Sequence, residues 1–216
     1  MIRSLITYER DPKSIYAASF ATVRNEANLA RFSPEMQAVV IRLIHACGMI
    51  EVADRIAYSP NAANAGSFAL ANGAPILCDC EMVGAGIIRR YLPANNEVIV
   101  TLNNPAVSEL ATTIGNTRSA AAIELWEPHI EGSVVAIGNA PTALFHLLEL
   151  IDQGFPKPAC ILGFPVGFIG AAESKATLVA SPRDCEFIAL RGRRGGSAIA
   201  SAAVNALSAG LPEISL

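Results

Sequence analysis

Residues 133–151, S-V-V-A-I-G-N-A-P-T-A-L-F-H-L-L-E-L-I, constrain the fold more tightly than any other stretch of this chain. The opening S-V-V-A-I-G is short, apolar and rich in β-branched residues, the mark of a strand covered on both faces. Asn139 ahead of Pro141 gives a tight turn into a helix start. Beyond it Leu144, Leu147, Leu148 and Ile151 stand at i, i+3, i+4 and i+7, one apolar stripe of a helix. His146, Glu149 and Gln153 fall on the opposite, polar side. A buried strand that turns at once into an amphipathic helix is the repeating unit of a parallel α/β sheet.

The same alternation runs on either side. Strand-like runs fall at residues 75–79, 97–102, 134–138, 159–164 and 187–191. Helical stretches follow at 81–92, 105–126, after residue 141, at 173–179 and at 197–207. The N-terminal third reads as helices. Asp11-Pro12 starts one that runs to about residue 28, and Ser33-Pro34 starts a second. The second carries a core stripe of Met36, Val39, Val40, Leu43 and Cys47 and stops at Gly48. Residues 52–59 look extended, and 61–72 form an Ala-rich helix ended by Gly73. The expected architecture is α/β: a doubly wound sheet of about five parallel strands, helices on both faces, and a helical N-terminal segment. With no linker or break in composition, residues 1–216 read as a single domain. Ligands in such sheets sit beyond the carboxyl ends of the strands. That rule points at Cys80-Glu81, Asn103-Asn104, Asn139-Ala140, and the turns at 165–170 and 192–197.

Charge and composition narrow the function classes. The net charge is −3, so no basic field suits nucleic acid. The N-terminus M-I-R-S-L-I-T-Y-E-R-D breaks any apolar run with charges and is not a signal peptide. The most apolar segment, 159–172, is interrupted by Pro165 and glycines and is too short to span a bilayer. The 5 Cys follow no disulfide or zinc spacing. They read as reduced thiols of a cytoplasmic protein, with no metal site and no cofactor. Lysine is confined to Lys13, Lys157 and Lys175; every other cation is arginine, whose planar fork suits carboxylates and phosphates. A GC-rich genome would give the same bias.

Several residues could carry chemistry. The turn G-R-R-G-G-S at 192–197 follows a strand and opens a helix, with Arg191, Arg193 and Arg194 beside it. It either cradles an anion or serves close strand–helix packing. It is neither a dinucleotide fingerprint nor a P-loop. The turn P-V-G-F-I-G-A-A-E-S-K at 165–175 could lie against a flat apolar ligand with Lys175 on a carboxylate; alternatively Glu173 and Ser174 are simply early helix residues. Arg118, in N-T-R-S, sits near a helix start, which is unfavourable unless an anion is close. Of the histidines, His129 reads as a solvated helix end and His146 as polar-face. His45 lies in an apolar stretch yet off the core stripe, on the side of Ile41 and Arg42. No Ser–His–Asp elbow, carboxylate pair or metal cluster stands out.

Taken together, these segments resemble the precorrin-8X methylmutase (precorrin isomerase) family. The resemblance rests on H-A-C-G at 45–48, G-A-P-I-L-C-D at 73–79, E-M-V at 81–83 and I-G-N-T-R-S-A-A-A at 114–122. It continues through S-V-V-A-I-G-N-A-P-T-A-L-F at 133–145, G-F-P-V-G-F-I-G-A-A-E-S-K at 163–175 and R-G-R-R-G-G-S-A at 191–198. The motifs span nearly the whole chain in the family's order. The resemblance implies a flavodoxin-like sheet, a homodimer, and an isomerase of cobalamin synthesis. Its reaction moves a methyl group from C-11 to C-12 of ring C, converting precorrin-8X, or its cobalt-containing equivalent, into hydrogenobyrinate. It implies that His45 is the catalytic acid, that Ser19 in S-I-Y-A-A-S-F binds substrate, and that Arg118, Lys175 and Arg191 contact substrate carboxylates. A formal 1,5 shift in a conjugated ring needs no redox cofactor, only a proton lent and retaken. Competing readings are a corrinoid carrier without catalysis, a phosphate- or nucleotide-binding α/β enzyme built on 192–197, and a receiver-like signalling domain. The last would want an acidic cluster, and only Asp79 and Glu81 are offered.

Overall fold

The computed structural model describes residues 7–209. Residues 1–6, part of the stretch weighed as a signal peptide, and 210–216 lie outside the described residues. The elements follow in the order α1 (Pro12–Glu26), α2 (Pro34–Cys47), β1 (Ile56–Tyr58), α3 (Ala62–Ala71), β2 (Ile76–Cys78), α4 (Glu81–Gly86), β3 (Val98–Val100) and α5 (Val107–Thr113). Then come α6 (Arg118–Glu124), β4 (Val134–Ile137), α7 (Pro141–Asp152), β5 (Cys160–Gly163), α8 (Ala171–Ala180), β6 (Glu186–Leu190) and α9 (Ser197–Ala209). The two N-terminal helices start where the sequence places them. The Asp11 carboxylate accepts the Ser14 N–H at 2.8 Å, the Ser33 hydroxyl accepts the Met36 N–H at 3.4 Å, and a proline follows each cap. Helix α2 stops at Gly48, whose φ of 68° is left-handed.

The sheet has six strands in the order β1-β6-β5-β4-β2-β3. Strands β2 to β6 are parallel, as expected. Counted from β2 as the first, their order is the flavodoxin-like 2-1-3-4-5. The departure is at the edge. Residues 52–59 are not one extended run: Ile50–Arg55 is a 3₁₀ helix, and the three-residue β1 pairs antiparallel with β6, Ala57 opposite Ala189. No crossover helix between neighbouring strands delivers β1 to its place, so nothing forces it parallel.

Along β4 the side chains alternate. Val134 and Ala136 join one core, Val135 and Ile137 the other. Helices α3 and α9 cover the first face, while α6, α7 and α8 belong to the second. Outside α9 lies a further layer: α2 packs on α9, and α1 on α2. This outer layer is the helical N-terminal segment, and it carries the candidate site. Two local readings need correction. The helix expected over 81–92 ends at Gly86 and gives way to a 3₁₀ turn at Arg89–Tyr91. His146, expected on the polar face, is buried, because α6 packs along α7 and brings the Glu124 Oε1 to 2.7 Å from His146 Nε2. Covered by both α6 and α8, α7 buries more than one stripe. Among the described residues no helix is long and apolar enough to cross a membrane.

Candidate active site

His45 sits in the last turn of α2, one residue after the buried Ile44 and three after Arg42. Because α2 is wedged between α1 and α9, a residue just off its core stripe points into the seam between helices. Across that seam Ser19, on α1, places its Oγ 2.8 Å from His45 Nδ1. Tyr16, one turn earlier on α1, lies against the imidazole with ring centroids 5.4 Å apart, and Phe20 meets it edge-on at 5.2 Å. The ring is therefore held on three sides by one helix. A hydroxyl suits this position for a chemical reason. It donates to Nδ1 of a neutral imidazole and accepts from Nδ1–H of an imidazolium, so the bond survives a change of protonation.

His45 opens onto a cavity of about 400 Å³. Tyr16 comes from α1, and Arg42, His45 and Ala46 from α2. Met82 and Gly86 come from α4, Ile88 from the segment after it, and Ala198, Ser201, Ala202 and Asn205 from α9. The helices following β2 and β6 thus both contribute walls. Among the described residues, no Asp or Glu lines this cavity. Asn205 is a structural post: its Oδ1 accepts the Ile88 N–H at 2.8 Å, and its Nδ2 donates to the Gly86 carbonyl at 3.0 Å. The His45 residue has substantial exposed surface, yet its ring is crowded enough that burial lowers its pKa, and the charge of Arg42 lowers it further. A larger, mostly apolar depression of about 730 Å³ lies at the opposite end of the sheet, lined by Phe68, Ala74, Gly132, Ala159 and neighbours. Among the described residues that line it there is no acid, base or thiol.

The topological switch point lies between β2 and β4, where doubly wound sheets bind ligands. Here it is filled from within. The Asp79 carboxylate accepts N–H bonds from Gly138 at 2.9 Å, Asn139 at 2.9 Å and Ala140 at 2.8 Å. Burial pushes its pKa up and the three amides pull it back. The 192–197 turn is likewise occupied by the protein. The Gly196 N–H donates to the Phe164 carbonyl at 2.8 Å, and a Cβ on Gly195 would stand 2.2 Å from that same oxygen. Glycine there permits close packing of one turn on another, and the Gly196 amide is not available to an anion.

Of the residues singled out in the sequence, Ser19 and His45 are brought together; the cations are not brought to them. Lys175 is fully buried, and its Nζ donates to the carbonyls of Pro165 at 2.8 Å and Arg194 at 2.6 Å. It braces the turns after β5 and β6 instead of rimming a pocket. Arg191 is at the β1 edge, its N–H bonded to the Arg55 carbonyl, and lines a separate polar depression with Arg31 and Asp54. Arg118 is exposed at the start of α6, where its Nη2 donates to the Leu102 carbonyl at 3.1 Å. That carbonyl supplies the negative partner expected near this helix start. Sequence reasoning missed Arg42, Tyr16 and Met82. Only Arg42 carried a signal: a guanidinium inside an apolar helix, three residues before a histidine.

The fold is a flavodoxin-like α/β sheet with an imidazole seated at a cavity wall in its outer layer. Comparison with known proteins gives the family. The precorrin-8X methylmutase family model matches residues 14–209. The chain is 59% identical to the precorrin-8X methylmutase of Pseudomonas aeruginosa, over 94% of this chain and 98% of that one. It is 54% identical to the precorrin-8X methylmutase of a Sinorhizobium species, over 93% and 96%. A solved structure of precorrin-8X methylmutase from Thermus thermophilus matches with a TM-score of 0.82 at 38% identity, covering 90% of this chain and 94% of that one. The chain belongs to the precorrin-8X methylmutase family and is an isomerase. The family's reaction converts precorrin-8X to hydrogenobyrinate in cobalamin biosynthesis.

Proposed function

We propose that His45 lends and retakes the proton that drives migration of the methyl group from C-11 to C-12 of precorrin-8X, with Ser19 holding the imidazole in place. The observation that carries this reading is the 2.8 Å contact between Ser19 and His45 Nδ1 at the wall of the cavity. With Nδ1 engaged by the hydroxyl, the remaining ring nitrogen is the one left to exchange a proton with a ligand. Protonation near ring C makes the migration terminus electron-poor; the methyl group then moves with its bonding pair, and the imidazole recovers the proton. Among the described residues the cavity supplies no other side chain that ordinarily titrates near neutral pH. His45→Ala should lower turnover by roughly 10²- to 10⁴-fold while hydrogenobyrinate still binds. The measurement is product absorbance for turnover, with equilibrium binding alongside. Turnover close to wild type in that variant removes His45 from the mechanism.

The reading extends to the metal-free ring as substrate, supported by relatives at 59% and 54% identity that both carry the precorrin-8X name. A cavity of about 400 Å³ encloses only part of a corrin-sized ligand, and Met82 and Tyr16 stand exposed at its rim. Both features support a homodimer in which a second copy covers the remainder. Sedimentation analysis tests that state. The chain is read as one catalytic domain that works in the cytoplasm.

A further inference from the structure

Of the described aromatic residues, Tyr16 alone both packs on the His45 imidazole and lines the cavity. The two ring centroids are 5.4 Å apart and the planes are tilted by 33°, an offset stack rather than an edge contact. Phe20 meets the imidazole differently, at 68°, and is 2% exposed, a core residue. Tyr16 is 42% exposed. Against a neutral imidazole any apolar side chain would fill that place. Against an imidazolium an aromatic face does more, because its quadrupole attracts a cation within about 6 Å of the ring centre. The titratable groups that face His45 can be named element by element. Helix α1 brings Tyr16 itself. Helix α2 brings Arg42, with Tyr91 beyond its guanidinium at 6.0 Å. Among the described residues, the wall contributed by α4, the segment after it and α9 is uncharged. A place in the last turn of α2 favours the charged ring. Burial and the Arg42 charge oppose it.

We propose that Tyr16 is a positioning residue for the acid: its π face stabilises the imidazolium of His45 and keeps the charged ring turned toward the cavity. The inference rests on the reading of His45 as the proton donor, and deepens it. An acid that lends and retakes a proton has to hold that proton in the loaded site. The Ser19 hydroxyl, 2.8 Å from Nδ1, serves both states of the ring, donating to one and accepting from the other. Tyr16 supplies the preference between those states that the hydroxyl lacks. Its exposed side looks into the space where a macrocycle lies. A ligand seated there takes water away from the stacked pair, and a cation–π contact strengthens as it is desolvated. The hold on the imidazolium is thus greatest in the loaded site, where the proton is needed.

The test is an NMR pH titration of the His45 ring, with and without hydrogenobyrinate, its resonance identified as the one absent from His45→Ala. Tyr16→Leu removes the π face and leaves an apolar side chain against the imidazole. In that variant His45 should titrate about half a pH unit below wild type in the empty protein, and about one and a half below it with product bound, the worth of an exposed and of a desolvated cation–π contact. Tyr16→Phe loses only the hydroxyl and should titrate with the wild type. Tyr16→Trp presents a stronger face and should titrate higher; it serves if the leucine variant does not fold. The alkaline limb of kcat in Tyr16→Leu should move to lower pH by the same amount as the bound-state titration. A His45 titration unmoved by Tyr16→Leu or by Tyr16→Trp overturns the proposal, because the contact is then packing alone. A fall as large in Tyr16→Phe as in Tyr16→Leu overturns it too, by assigning the effect to the hydroxyl. So does a kcat lowered at every pH with its alkaline limb in place. Failure of the His45 assignment is seen separately, as undiminished turnover of His45→Ala, on which the titration does not depend.

Discussion

Asp79 and His45 are both ionisable groups beside the carboxyl ends of parallel strands, and they have opposite fates. Asp79 is 2% exposed, at the switch point where a flavodoxin-like sheet offers its best ligand crevice, and its oxygens accept three backbone amides. His45 is in the outer layer, with one ring nitrogen engaged by Ser19 and a cavity in front of it. The first arrangement is saturated by the protein itself, so it can hold a turn but cannot bind. The second is fixed in place and left incomplete. The candidate site therefore lies away from the fold's usual crevice, in the seam between the N-terminal helices and α9. A carboxylate plugs the place where a phosphate would otherwise sit, which also argues against a nucleotide-binding reading.

Substitution should separate the two fates. Asp79→Ala strands one buried and two partly buried amides and should cost about 3–5 kcal/mol of stability, read from the urea unfolding midpoint. The folded fraction should keep its turnover within a few-fold, since Asp79 does not line the cavity. His45→Ala should show the reverse: turnover lowered by roughly 10²- to 10⁴-fold, and stability changed by no more than about 1 kcal/mol for the lost aromatic contacts. If Asp79→Ala proved as stable as wild type, the amide nest would not be a holding device and the contrast would collapse. A smaller effect sharpens the same contrast. Ser19→Ala removes one hydrogen bond from a ring still packed by Tyr16 and Phe20, so kcat should fall about tenfold, the worth of a net hydrogen bond. A loss as deep as that of His45→Ala would mean that Ser19 touches the reacting atoms itself.

The sequence made the sheet legible because β4 and α7 carry two clean periods, and a parallel strand buried on both faces has few alternatives. It could not reveal β1. Three residues, I-A-Y, hold too little pattern, and their antiparallel pairing depends on a partner well over a hundred residues away. His146 was misplaced for a related reason: helical spacing identifies one buried stripe but not a second helix lying on the polar side. The site divides in the same way. Ser19 and His45 were nameable through motif resemblance, and α1–α2 packing joins them. The carboxylate contacts expected at Lys175, Arg118 and Arg191 came from the same resemblance, and here Lys175 and Arg118 donate to backbone carbonyls. Residue type does not say whether a cation faces a ligand or a backbone carbonyl. Arg42 was hidden by its apolar surroundings, which read as core.

Lys175 gives the most delicate test of the comparison, because it is the cationic counterpart of Asp79: buried, and bonded to backbone alone. Its two acceptors, the carbonyls of Pro165 and Arg194, belong to the turns after β5 and β6. Burial pulls its pKa down from 10.5 to about 8. The sign of the consequence follows from proton counting. Between those two values the unfolded chain holds the proton and the folded chain has begun to lose it, so stability rises with pH across that window. The contribution of a depressed group is complete above the unfolded value and disappears as pH falls through the folded one. Lys175→Met removes the titration at nearly constant volume. The wild type should gain on the variant as pH goes from about 8 to about 10, read as the difference between their urea midpoints so that the thiols and tyrosines cancel. Parallel profiles for the two proteins would show that Lys175 keeps its proton as readily folded as unfolded. Two carbonyls would then compensate a buried ammonium fully, and saturation by backbone would be as complete for the cation as the amide nest makes it for Asp79.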